Sequence, residues 1–573
     1  MPSCRNDRRL ALAVAALALL MPAAALAQVG PPVHLLPPAP GAGPAVPGPP
    51  PAPTPAPAAA TDEAIRTTPL APVDSAWIGA LEGGANALPD SMWQGTPRRF
   101  VAAALPQLQP TTSPALQLLA HRLLLSNAIA PSGEDPPNQP GLAALRVERL
   151  IALGEVDGAL GVLEALPAET RTDPLDHERA ELYFAKNDVA GACRRVQEGI
   201  DHYQTVWWQR ALIACQTLAG QRAEASLGLS LLREQKAPPD RVFDELIDAA
   251  EGHAIRITSL PDPSPILVTL LAAAKLPLPA EAAASADLPT LLAWAGNEAV
   301  PPLQRLAAAE RATDLGAMPP SVLGDLYAKV EFKPDELGSA IRQAKAPATP
   351  RERALLYQVA RNDPASAVRA TALKALLAEA RKRGDFFTTA RLVAPILAQL
   401  PPSGDLGPFA AEAVRTLYAG GRPEAATPWL VYADPATVPL LLALPQLAGP
   451  GGDAKVLHDA VAAAGHNADL ARLLLSLMTA LGIEVTPGDW APLIAPAHDA
   501  PLPNAALWLD QQQAAAGNRV GETVLTTLLL ARAGDHLSTE PIVVAAAVSG
   551  LKAVGLDQDA HALAVEAALA AGL

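Results

Sequence analysis

Aromatic residues make up only 4% of the 573 residues, and cysteine occurs three times. With so few rings, the apolar half of the chain is mostly Ala and Leu, residues that suit closely packed helices better than strands. Basic residues are also scarce: 43 Lys and Arg stand against 58 Asp and Glu, a formal charge of -15, with no Lys/Arg-dense patch. That deficit argues against binding nucleic acid, which relies on clustered cations, and against electrostatic docking on anionic lipid. Beyond the N-terminus no apolar run reaches the ~20 residues that a spanning helix needs. Ile266 to Ala274 stops at Lys275, and Pro541 to Leu551 stops at Lys552. The patterns His-x-x-x-His, Cys-x-x-Cys and Gly-x-Ser-x-Gly are missing, so no metal site, cofactor or catalytic residue is assigned. Ser549-Gly550-Leu551-Lys552 matches the Ser-x-x-Lys of penicillin-recognising enzymes. It lacks the companion Ser-Asp-Asn and Lys-Thr-Gly elements, so it carries no catalytic assignment.

What is present begins with an export signal. Arg5, Arg8 and Arg9 precede the run Leu10 to Leu20, Met21-Pro22 breaks it, and Ala25-Leu26-Ala27 offers a small-x-small cleavage site. Cleavage after Ala27 is expected. Cys4 lies before the apolar run rather than directly after it, so no lipid anchor is expected. Removing residues 1–27 takes away three Arg and one Asp, leaving 40 cations against 57 anions, a formal -17. The mature protein is therefore acidic and is expected in the periplasm, with secretion as the second choice. Residues 28–72 are so dense in Pro and Ala that they cannot build a packed core, and they read as an extended, disordered linker. An N-terminal helical segment follows over residues 73–130, where Leu116, Leu119, Leu123 and Leu124 recur at helical spacing.

Beyond the loop at Pro131 to Gly141 an internal repeat emerges. Gly154 to Ala159, Asn187 to Ala192 and Gly220 to Ala225 align at intervals of 33 residues. Each turn stands between two apolar-periodic stretches. A left-handed residue ends the first helix, and five residues later a small Ala lets the second approach closely. One such hairpin cannot bury its own apolar stripe, so neighbours must stack. The expected fold is all-α, an α-solenoid of stacked helical hairpins. Weaker copies of the turn start at Gly384, Gly420 and Gly555, and residues 236–573 form a degenerate repeat region, with a second lobe after about residue 280 as the alternative.

Residues 141–235 resemble the tetratricopeptide repeat in period and in the Gly-x-x-x-x-Ala turn. Tyr183 stands where that family favours an aromatic residue, while Leu163, Val196 and Leu229 share one apolar position of the second helix. Val147, Ala180 and Ile213 occupy the position where the family favours Gly. The resemblance implies that an extended peptide binds the concave face formed by the first helices. Carried over position by position, that face comprises Glu148 and Ile151, then His177, Glu181 and Phe184, then Trp207, Arg210 and Thr217. Trp207 beside Trp208 is its most informative feature, one ring serving the core and the other an anchor, or both lying in the interface between repeats.

After export only Cys193 and Cys215 remain, 22 residues apart in an oxidising compartment. They either staple the second repeat to the third or stay two small buried thiols. The expected function is that of a non-enzymatic scaffold or adaptor binding an envelope protein or peptide in its groove. The alternative is a cell-wall-associated enzyme, or an activator of a peptidoglycan enzyme.

Overall fold

The computed structural model describes residues 74–81, 84, 86–137, 139–167, 171–343, 349–465, 467–494 and 503–573. The expected export signal (1–27) and the expected linker (28–72) lie outside the described residues. The described residues are mostly helical. A two-residue β-hairpin, β1 (Arg532–Ala533) against β2 (His536–Leu537), is the sheet structure among them, antiparallel with Arg532 opposite Leu537.

The N-terminal segment supplies α1 (Arg98–Ala104) and α2 (Pro114–Leu125). Three hairpins follow: α3 (Leu142–Ala152) with α4 (Val156–Ala165), α5 (Asp173–Ala185) with α6 (Val189–Ile200), and α7 (Val206–Leu218) with α8 (Arg222–Glu234). Then come α9 (Arg241–Ala250), α10 (Pro265–Ala273), α11 (Ala280–Ser285), α12 (Leu288–Gly296), α13 (Pro302–Asp314), α14 (Pro320–Ala328) and α15 (Pro334–Gln343). The series continues through α16 (Pro350–Asn362), α17 (Ser366–Arg383), α18 (Phe386–Leu397), α19 (Gly407–Ala419), α20 (Val438–Leu447) and α21 (Ala454–Ala463). It ends with α22 (Ala468–Leu481), α23 (Pro487–Trp490), α24 (Ala505–Ala516), α25 (Val520–Leu530), α26 (Pro541–Ala553) and α27 (Asp557–Ala570).

The prolines between apolar runs do more than stop helices. Pro114, Pro265, Pro302, Pro320, Pro350 and Pro541 each occupy a first helical position, where the missing N–H has no intrahelical partner to lose. Side chains satisfy other free amides: Ser113 accepts from the Leu116 N–H, Asp188 from Gly191 and Asp240 from Phe243. Thr349 and Glu352 form a capping box on α16.

The three turns of the 33-residue repeat share one geometry. Gly154, Asn187 and Gly220 have φ of 75°, 58° and 74°. In each the next residue's N–H reaches five positions back: Glu155 to Leu150 (2.9 Å), Asp188 to Tyr183 (3.0 Å) and Gln221 to Gln216 (2.8 Å). This is the left-handed ending that closes off a helix's last carbonyls. Ala159, Ala192 and Ala225 are fully buried, as are Val147 and Ala180 and, nearly so, Ile213.

The same ending recurs downstream at Gly384 and Gly555, with Thr389 and Ala560 buried five residues on. At the copy aligned on Gly420 the register differs by one. Gly421 carries the positive φ of 69°, the buried small residue is Ala426, and 3-10 turns at Pro423–Ala425 and Thr427–Tyr432 replace the second helix. Gly420 itself is pressed against the Ala394 side chain: a Cβ there would sit 2.3 Å from it.

Pro72–Leu573 form one compact unit, with a hydrophobic core that runs from Ala76 to Leu573. Across the boundary considered near residue 280, α12 packs against α3 and α5. The packing also returns on itself. Helices α1 and α2 lie against α25, α2 also against α27, while α1 and the turn after it lie against α3. Arg122 pairs with Asp559, the Ala115 N–H donates to Glu566 Oε2 (2.8 Å), and the Gly521 N–H donates to the Met92 carbonyl (2.8 Å). The N-terminal segment thus joins the first hairpin to the last ones.

Candidate functional site

The first helices of the three repeats do not leave an open groove. After α8 the chain turns back, and α10 packs against α5, α7 and α9 while α12 packs against α5. Phe184 is wholly buried and Glu181 is 7% exposed, so neither is available to a peptide. Glu181 serves the chain's own packing: its Oε2 accepts the Ile266 N–H at 3.1 Å, at the start of α10, where Ser264 gives no side-chain cap. An acidic side chain from one helix there meets the positive end of another. Burial pushes the Glu181 carboxyl up to about 7 and Glu178 adds to the rise, while the Ile266 amide, Ser264 and Trp207 oppose it.

The other expected groove residues separate. His177 and Trp207 meet, ring centroids 3.8 Å apart, both half-buried. Burial holds the His177 imidazole below its ordinary range, opposed by Asp173, which keeps it neutral at pH 7. Arg210 reaches away to the start of α9, donating to the Pro238 carbonyl and lying 3.6 Å from Asp240, with its guanidinium 6.0 Å from the centre of the Phe243 ring. Glu148 is exposed and paired with Arg149 at 2.5 Å. Ile151 is half-buried against the core, and Thr217 is buried. The set expected to form one binding face is divided between a sealed helix contact and ordinary surface.

The tryptophan pair divides between core and partial exposure. Trp208 is wholly buried, donates from Nε1 to Asp173 (2.6 Å) and stacks on Tyr203, 5.4 Å between centroids. Its ring lies so close over Gly199 that a Cβ there would stand 2.1 Å from it. Cys193 in α6 and Cys215 in α7 form a disulfide with Cα atoms 5.7 Å apart, which ties the second hairpin to the third.

An open apolar surface lies on the other side of the third hairpin. Helix α8 packs on α7 through Ala225, Leu229 and Leu232. A second pair on the same helix, Leu227 and Leu231, is 61% and 46% exposed. These leucines line a cleft of about 420 Å³ together with Ile200 at the end of α6, Tyr203 in the connection that follows and Leu212 from α7. Gln209, Gln216 and Gln235 border it, and Gly228 lets α8 approach Ile213. Tyr203 is held by a 2.7 Å bond from its hydroxyl to Asp176. Sequence reasoning passed over this surface. The available signal was a helix carrying two apolar stripes, one more than a single hairpin contact consumes.

Ser549 and Lys552 do not form a reactive pair. Ser549 donates to the Ala546 carbonyl at 3.2 Å, and Lys552 Nζ donates to the Leu481 carbonyl. Among the described residues no group of three or more His, Cys, Asp or Glu is arranged to hold a metal ion, and no helix is long and apolar enough to cross a membrane. No family model, curated protein or solved structure matches the chain.

Proposed function

We propose that this protein is an exported, periplasmic scaffold without catalytic activity, a tetratricopeptide-like solenoid that holds a protein partner in the envelope. The observation that carries the reading is the cleft over α6, α7 and α8. In a stack of hairpins the second helix of one repeat is covered by the first helix of the next. Here α9 follows α7 by one repeat, packs against it and is tied to α8 by Arg233 and Asp244 (3.3 Å), while Leu227 and Leu231 remain exposed at helical spacing in the cleft shared with α6 and α7. The occupant that fits is an amphipathic helix of a partner laid in the cleft that α6, α7 and α8 enclose. Its apolar face would lie on Leu212, Leu227 and Leu231, with the flanking glutamines meeting its polar edge. The export signal, the absence of a dense basic patch and the two-cysteine composition of the mature chain support the compartment.

The test is a charge placed in the cleft. Leu231→Asp is expected to leave folding intact, since Leu231 is 46% exposed, and to abolish co-purification of the envelope partner retained by the wild-type chain. Trp207→Ala is expected to leave partner capture unchanged. The reverse pattern would return the binding surface to the first helices.

A further inference from the structure

A polar hollow of about 210 Å³ lies beside the α8 cleft, at the end of α6. Ile200 and Tyr203 line the cleft, while their neighbours Gly199 and His202 line the hollow. Tyr203 joins the two, because its hydroxyl donates at 2.7 Å to Asp176 Oδ2, and Asp176 lines the hollow. Three guanidinium groups converge there: Arg171 from before α5, Arg179 from α5 and Arg195 from α6. Two carboxylates, Asp176 and Glu198, accompany them. In a chain of formal charge -15 this is a local excess of cations.

The carboxylates do not satisfy all three cations. Glu198 pairs with Arg195 at 2.7 Å, and Asp176 is engaged by Tyr203. Arg179 is only 9% exposed, its Nε is buried without a hydrogen-bond partner, and its NH1 stands 4.0 Å from Asp176 Oδ1, beyond hydrogen-bonding reach. Arg171 is exposed and forms no ion pair among the described residues. The fields of the three overlap: Arg179 and Arg195 both oppose the rise that Glu164 gives the Tyr183 hydroxyl, and Arg171 opposes the rise that burial and Asp176 give Tyr203. Three cations against two anions select a monoanionic acceptor. A guanidinium binds a carboxylate through two parallel bonds. Asp176 and Glu198 would repel a dianion such as phosphate, and both already have partners, which leaves neither for an ammonium.

We propose that this hollow takes a carboxylate, and that the partner helix docked in the α8 cleft supplies it from an acidic side chain flanking its apolar face. The apolar stripe lies on Leu212, Leu227 and Leu231, and the carboxylate reaches past Tyr203 to Arg171 and Arg179. The source of the carboxylate rests on the partner cleft; its chemistry rests on the hollow alone.

The experiment is saturation-transfer NMR on the full mature chain with N-acetylglutamic acid α-amide, its glutamine counterpart and inorganic phosphate as competitor. The acid is expected to give a signal and the glutamine counterpart none, and phosphate at equal concentration is expected to leave the acid bound. Arg179→Met keeps the aliphatic stem and is expected to weaken the acid's affinity at least about tenfold. Arg171→Glu alters an exposed side chain and is expected to abolish the signal with the melting curve preserved; if Arg179→Met does not fold, this variant decides. In envelope capture both variants are expected to weaken retention of the partner that Leu231→Asp loses, and added salt to weaken wild-type retention. Equal signals from the acid and its glutamine counterpart, displacement by phosphate, or acid affinity unchanged in the variants would each overturn the carboxylate site. Acid binding with partner capture unchanged in both variants would overturn the partner as its source. Capture unaffected by Leu231→Asp would overturn the cleft reading while the acid's signal still decides the hollow.

Discussion

Arg146 is wholly buried, and its guanidinium donates to the Leu124 carbonyl (2.6 Å), the Ile78 carbonyl (2.6 Å) and the Ser126 carbonyl (3.4 Å) while lying 4.7 Å from the Trp77 ring. Burial pulls it down to about 9, which leaves it cationic at neutral pH. It binds the carbonyl end of α2 to the first hairpin, the favourable place for a cation on a helix. Arg146→Leu strands those carbonyls, and a loss of roughly 3 kcal/mol is expected in denaturant unfolding. Three carboxyls give a pH signature. Burial lifts Glu181 and Glu566 to about 7, and lifts Asp314 to about 8 with help from Asp385. A raised carboxyl favours the folded state in its protonated form. The stability it contributes is full below the ordinary carboxyl range near pH 4 and is lost as pH rises through 7 to 8. Denaturation midpoints are therefore expected to fall between pH 5 and pH 8, and to fall less in Glu181→Gln and Asp314→Asn. An unchanged difference in both variants would remove these groups as its source.

At the scale of helices and turns, the 33-residue repeat was legible because Gly and Asn adopt the left-handed conformation readily and the Ala five positions on has no competing role. The same ending occurs at Lys236 (φ 55°) and Lys275 (φ 57°), where a lysine gives no hint of it in the sequence. Two adjacent glycines, Gly420 and Gly421, left the register open by one residue, and only packing against Ala394 assigns the second as the left-handed one. Of the expected groove, the face of each helix was readable but its covering was not. Nothing in residues 265–273 announces that their N-terminus will meet Glu181. The Cys193–Cys215 disulfide belongs to this scale as well, since it joins α6 to α7 across a loop of 22 residues. Replacing both cysteines with Ser is expected to cost about 3 kcal/mol. The drop in melting temperature should match that of the wild-type chain under reducing conditions. No drop in either would mean that the packing of Trp208 on Gly199 and Tyr203 suffices.

For the molecule as a whole, the unforeseen feature is contact between chain ends. Arg122 and Asp559 are 437 residues apart and the Ala115 bond to Glu566 spans 451, distances over which local periodicity carries no information. A row of hairpins read along the sequence suggests two free ends and an open inner face. Instead the N-terminal segment joins both ends of the helical series, and α10 and α12 cover the inner face of α5. That arrangement moves the candidate partner surface to the uncovered side of α8. The most direct measurement is photo-crosslinking in the native envelope from a benzoylphenylalanine placed at residue 227 or at residue 151, one on the α8 cleft and the other on the first helices. The account predicts a discrete partner adduct from position 227, lost when Leu231→Asp is added, and none from position 151. An adduct from position 151 alone would contradict it.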